Sequence, residues 1–347
     1  MPQTPDVRPP TQDEWRRLYQ AAQAIKELAP WAWLEEVVLF GVQDPESGQL
    51  GFVSAMGMLG EHYAASLYLG AEGLYGFWQL QIQGPFMTPE TLFEIPQLQA
   101  SFEDRDQLDE RDRRVIKDLG LKFRGRQAWP LFRSYRPGFL PWLLEAHEAR
   151  FLTHALEQLA DVAVRAKDDP ALLTPEDDDE IYLVRVPRRD GDALVWEDEA
   201  RRVPPPEGAT ITSHIDEKKF KALKELTPGR HTLEVDLFMF PTPIAPKDER
   251  PYFPYMLMVV EEQSGMILAN ELLEPLPSLQ TMWGKVLGTF LTQLANLELR
   301  PATVRARSPL LLELLEYPAY EVGFALEASD ELPGIDEARE ALSSFLG

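Results

Sequence analysis

Residues 30–76, PWAWLEEVVLFGVQDPESGQLGFVSAMGMLGEHYAASLYLGAEGLYG, constrain the fold more than any other stretch of this chain. The apolar runs 37–42 and 50–56 flank Asp44-Pro45-Glu46-Ser47-Gly48. That pentapeptide places proline and glycine where a tight turn wants them. A third run, 63–69, follows at once, and 72–82 carries Leu74, Phe77, Trp78 and Ile82 at helical spacing. Three short β-type runs and a helix in so few residues predict an antiparallel three-stranded meander backed by helices.

The rest of the N-terminal half fits around that meander. Thr11 reads as an N-cap with Asp13 and Glu14 in the first turn, and Trp15, Leu18, Tyr19, Ala22, Ile25 and Leu28 form one apolar stripe. The sequence predicts a fourth strand over 95–102, a solvated helix over 106–119 and a long helix over 143–166. Between them, 129–142 holds three prolines and five aromatics, and it reads as irregular, buried chain. Residues 167–180 are rich in Asp, Glu and Pro, a composition that resists burial, so they read as a linker. The expected division is therefore an N-terminal α+β domain over 11–166 and a C-terminal α/β domain over 181–347, two domains being the prior for 347 residues.

In the second half the expected order opens with a hairpin over 181–196, a strand over 209–214 and a lysine-rich helix over 216–226. Strands over 232–240, 255–262 and 266–273 follow, then a helix within 277–299, a strand over 303–307, a helix over 309–316, a strand over 320–326 and a closing helix over 334–346. From 232 onward this is three strands, helix, strand, helix, strand, helix. It resembles the ribonuclease H-like fold in element order, with no shared motif. Enzymes of that fold place carboxylates on the first strand, near the end of the fourth and on a late helix, to hold two metal ions about 4 Å apart. Asp236 stands on the first strand, and Asp336, Glu337 and Glu340 are available late in the chain. The fourth strand ends Arg305-Ala306-Arg307-Ser308, so an arginine stands where the second carboxylate is needed. Asp236 is thus a weak metal candidate, and a metal-dependent phosphodiester hydrolase, in degenerate form, is the alternative reading.

Composition removes several chemistries. There is no cysteine, which excludes disulfides, thiol nucleophiles and thiolate metal sites, and which fits a reducing cytosol. The net charge of −23 disfavours nucleic acid and anionic membranes as partners. No secretory leader and no membrane span is expected from the sequence. The series Gly70-Ala71-Glu72-Gly73-Leu74-Tyr75-Gly76 lies where phosphate loops occur, but it matches neither phosphate-loop spacing and reads as turn geometry and close packing. His147 and His154, two helical turns apart, are too distant for one metal ion. No GxSxG elbow occurs, and no motif points to a cofactor.

The segment 132–142 carries the binding candidates Arg133, Arg136 and Trp142. Guanidinium forks can bind carboxylate or phosphate bidentately between aromatic walls. The competing reading is that both arginines pair with Glu145, Glu148 or other acids and staple the segment to its helix.

Pro30-Trp31-Ala32-Trp33, Asp44-Pro45-Glu46-Ser47-Gly48, Tyr68-Leu69-Gly70-Ala71-Glu72-Gly73-Leu74 and Phe132-Arg133-Ser134-Tyr135-Arg136-Pro137-Gly138, with Pro141-Trp142, resemble motifs of a bacterial two-domain family of unknown function. The resemblance covers residues 15 to about 326. It implies a bacterial cytosolic protein and brings no activity, substrate or catalytic residue with it. The expectation is a non-catalytic binding or interaction protein, its partner a protein or a small anionic ligand.

Overall fold

In the computed structural model, which describes residues 6–83, 93–174, 178, 180–191, 193–208, 211–247 and 249–346, contacts divide the chain into two units. The first is Met1–Pro137 with Pro141–Glu207, and the second is Gly138–Leu140 with Gly208–Gly347.

The first unit starts with α1 (Gln12–Leu28). Thr11 Oγ accepts the Glu14 N–H at 3.2 Å while Glu14 accepts the Thr11 N–H at 2.7 Å, so each satisfies a donor that the helix start would otherwise leave bare. Seven strands form its sheet: β1 (Phe40–Gln43), β2 (Leu50–Met56), β3 (Tyr63–Leu69), β4 (Gln97–Glu103), β5 (Trp129–Tyr135), β6 (Ile181–Asp190) and β7 (Ala193–Arg202). Their order is β5-β4-β3-β2-β1-β6-β7, antiparallel except where β1 meets β6. The expected meander is β1-β2-β3, with Phe40 opposite Val53 and Val53 opposite Leu67. Alternation along these strands feeds two cores. Val53, Ala55 and Leu67 pack with α1 and with α4 (Ala146–Asp168). Phe52 and Tyr68 pack with Leu74 and Phe77 of α2 (Gly70–Gln83). The short α3 (Glu110–Asp118) lies between β4 and β5 in the chain.

Three expectations change here. β1 begins at Phe40 rather than at residue 37, because a turn closed by the Val38 N–H on Glu35 O (3.0 Å) occupies the preceding residues. The stretch 129–142 is not irregular throughout, since 129–135 form β5 on the edge of the sheet. At an edge a proline such as Pro130 costs at most one ladder bond. Finally, the division into units falls at Glu207/Gly208 rather than across 167–180. The hairpin β6–β7 extends the first sheet through β1, and the buried Arg185 ties it to α4 by donating to Gln158 Oε1 at 2.9 Å. Acidic composition marked chain that avoids burial, which is a different property from a domain boundary.

The second unit contains α5 (Glu217–Glu225), β8 (Thr232–Met239), β9 (Tyr255–Glu261), β10 (Met266–Leu273), α6 (Leu279–Asn296), β11 (Thr303–Ala306), α7 (Pro309–Val322), β12 (Ala325–Ala328) and α8 (Pro333–Leu346). Its sheet runs β10-β9-β8-β11-β12, with β8, β11 and β12 parallel and β9 antiparallel to both neighbours. From β8 onward the element order is the ribonuclease H-like one expected from the sequence.

Two boundaries moved. The expected strand at 209–214 is absent over 211–214, and residues 209 and 210 lie outside the described residues. The chain there runs along α6 instead, so close that a Cβ at Gly284 or Gly288 would meet the Thr212 or His214 carbonyl oxygen. α7 continues past Pro318 to Val322 and stops at Gly323, whose φ of +81° makes it the left-handed cap, so β12 starts at Ala325 rather than at residue 320. Among the described residues no helix is long and apolar enough to cross a membrane.

Candidate functional site

Arg133, Arg136 and Trp142 are each engaged by neighbours within the first unit. Arg133 projects from β5 and grips Asp112 of α3 with both ends of its fork, at 2.8 and 2.7 Å. Burial pulls its guanidinium pKa down, but the Asp112 contact outweighs burial and leaves it raised. Arg136 bridges Glu145 at 2.8 Å and Glu148 at 2.9 Å, at the N-terminus of α4, and Glu148 also accepts from Ser134 Oγ at 2.8 Å. Trp142 exchanges both backbone hydrogen bonds with Ser134, and the Arg111 guanidinium lies 4.5 Å from its ring. The segment is therefore clamped between the starts of two helices, as the stapling reading has it.

The other sequence motifs of the first unit have similar work. Asp44 accepts the Ser47 N–H at 2.9 Å and closes the β1–β2 turn at Gly48, where φ is +76°. Gly73 admits no side chain, because a Cβ there would stand 2.7 Å from the Tyr68 carbonyl carbon and 2.8 Å from Pro96 O. The glycine series is thus a packing device at the β3–α2 junction. Among the described residues, one group of three metal-ligating side chains converges, Glu145, His147 and Glu148, with ligand atoms within 4.8 Å. Arg136 already lies on both carboxylates, so their charge is spent on an internal cation.

In the second unit Asp236 sits midway along β8 and is 3 % exposed. Its Oδ1 accepts the Leu237 N–H at 3.0 Å. Its Oδ2 faces Arg307 Nε at 3.3 Å and Arg339 at 3.8 Å. Arg307 follows β11 and reaches on to Asp336 of α8 at 2.6 Å. Burial raises the Asp236 pKa, opposed by the two arginines. The sequence placed Asp236 and Asp336 as ligands around a metal position. The structure joins them through a guanidinium. Glu234, two residues earlier on the same face, accepts the Ile335 N–H at the start of α8 at 2.9 Å, and burial raises its pKa as well.

Sequence reasoning missed the cavities of the first unit. One, about 640 Å³, is walled by Val37, Leu39, Trp78, Ile82, Leu173 and Ile181. Trp78 Nε1 donates to Tyr182 Oη at 2.9 Å and Tyr75 Oη donates to Val203 O at 3.0 Å, which satisfies the polar tips and leaves apolar ring surface. A second cavity of about 390 Å³ shares Val37 and adds Met58 and Leu59 at the β2–β3 turn. A third, about 420 Å³, shares Val38, Leu173 and Thr174 and adds Trp33. The three, together the trough, adjoin around residues 33–39, sharing Glu35, Val37, Val38, Leu173 and Thr174 among their walls. The legible signal was Gly57-Met58-Leu59-Gly60, a hairpin tip bearing two apolar residues where polar ones are usual.

Two α+β units, one of ribonuclease H-like element order, define a two-domain mixed α/β protein. Residues 15–185 match a domain of unknown function (DUF7309) and residues 219–343 match a second domain of unknown function (DUF6930), consistent with an uncharacterised two-domain family. No curated protein and no solved structure matches it.

Proposed function

We propose that this is a non-catalytic binding protein of the bacterial cytosol, and that its partner is a polypeptide. The observation that carries the reading is the open apolar trough of the first unit, a feature that suits recognition. The guanidiniums that a small anionic ligand would need are held by Asp112, Glu145 and Glu148. The hydrolase alternative loses support at Asp236, where Arg307 and Arg339 supply the positive charge that a metal ion would bring. The cysteine-free composition supports a reducing compartment.

The test is calorimetric titration of Mg²⁺ and Mn²⁺ into the wild type and Asp236→Asn. We expect no saturable heat from either protein. Saturable binding by the wild type that disappears in Asp236→Asn overturns the reading and restores the phosphodiester hydrolase.

A further inference from the structure

We infer that the trough of the first unit is a docking groove for an amphipathic, lysine- or arginine-bearing helix of another protein. The inference rests on the binding-protein reading above and names the class of partner.

The first argument is apolar exposure. Ile82 is 85 % exposed, Leu59 88 %, Met58 55 % and Val37 37 %, and all four line two adjoining cavities that share Val37. Scattered exposed apolar side chains are ordinary on any protein, but four gathered on two adjoining cavities are a concentration of the kind that marks an interaction surface.

The second argument is charge. The rim carries Glu35, Glu36 and Glu61, all exposed, and none of these carboxylates forms an ion pair among the described residues. Asp112, Glu148 and Asp198 of this unit are matched with arginines, whereas Glu35, Glu36 and Glu61 share the unmatched state of other exposed acids such as Glu27 and Glu72 and differ from them in standing around an apolar floor. Asp178 and Glu180, on the far rim, are already paired with Arg202. Lys167 is the one lysine or arginine among the described residues that line the three cavities, and it stands over the Trp33 ring, 4.6 Å from its centre. An apolar floor beneath unmatched carboxylates complements a segment with apolar anchors and flanking cations.

The third argument selects a helix over a strand. β1, whose approach forms one wall, is paired on both sides, with β2 and β6. Among the described residues no free strand edge is offered there for an added strand, so recognition falls to side chains. An amphipathic helix supplies those as anchors at i, i+3, i+4 and i+7.

The test uses the full-length chain and a fluorescein-labelled synthetic helix of leucine and lysine in amphipathic spacing, followed by anisotropy. A leucine–glutamate analogue of the same pattern is the charge control. Because the protein carries a net charge of −23, attraction alone must be separated from docking. Ile82→Asp and Leu59→Asp change exposed side chains and so test the groove without emptying a core. Tyr320→Asp, on α7 and 84 % exposed, makes the same charge change elsewhere.

We expect saturable one-to-one binding of the leucine–lysine helix. Binding should weaken about tenfold or more in Ile82→Asp, in Leu59→Asp and in the double variant Glu35→Lys/Glu36→Lys, and hold in Tyr320→Asp, with the glutamate analogue at least about tenfold weaker on the wild type. Equal binding by the groove variants and wild type overturns the inference, since charge alone then explains it. Equal binding of the two helices overturns it, as does a concentration-dependent dimer that Ile82→Asp dissolves, which would assign the groove to a second copy. The metal titration at Asp236 reads the parent proposal separately. Metal binding there defeats the binding-protein reading, whereas helix binding unmoved by Ile82→Asp defeats only the groove.

Discussion

At the scale of single residues, the arginines of the first unit separate two roles that the sequence alone leaves side by side. A ligand-binding arginine waits with its fork unfilled. Arg133 instead completes a two-point contact with Asp112, whose side chain is buried. Removing it strands a carboxylate without its cation, and breaking such a pair from one side costs roughly 3–5 kcal/mol. We therefore expect Arg133→Ala to lose about 3 kcal/mol of stability in urea unfolding. Unchanged stability would return Arg133 to the list of ligand contacts. Lys26 shows a related economy. Its ammonium lies 4.0 Å from the centre of the Tyr63 ring, with Trp31 and Phe102 at 5.3 and 5.0 Å, and burial lowers its pKa. Three aromatics of the first unit's core thus hold a cation by their ring faces.

At the scale of elements, legibility followed the strength of local signals. β2, β3 and β10 were read to the residue because alternating apolar runs end at turn residues. β5 was hidden by Pro130, which an edge position tolerates, and the end of α7 was hidden by Pro318, which the helix passes before Gly323 stops it. The pairing of β6 with β1 joins residues 41 and 184. No local pattern reports a contact across that separation, so the unit boundary was misplaced. The candidate site divided in the same way. Asp236 and Arg307 were legible because element order defines their places, one within β8 and the other just after β11. The trough was not, because it is made by the meeting of α2, the 33–39 segment and the chain leading into β6. The pairing gives a direct prediction. A fragment ending at residue 207 should give a cooperative thermal transition, whereas one ending at residue 180 loses β6 and β7, exposes β1 as a free edge and should aggregate or fail to unfold cooperatively. Equal behaviour of the two fragments would show that the hairpin is dispensable to the first sheet.

At the scale of the whole molecule, 57 acidic residues face 34 lysines and arginines. Such an excess repels itself in the folded state, and its screening competes with the weakening of surface ion pairs, which individually contribute little. Raising sodium chloride from 20 mM to about 300 mM, across which the Debye length falls from above about 20 Å to below about 8 Å, should therefore raise the melting temperature. A fall would mean that the arginine pairs carry more of the stability than the net charge removes. Within this negative field, the cation beside Asp236 has a property that no bound ion shares. Arg307 is part of the polypeptide, so its charge arrives with translation and cannot be chelated, exchanged for another metal or diluted away. Where a bound metal ion is a charge that the cell can load and remove, the positive charge beside Asp236 is permanently in place.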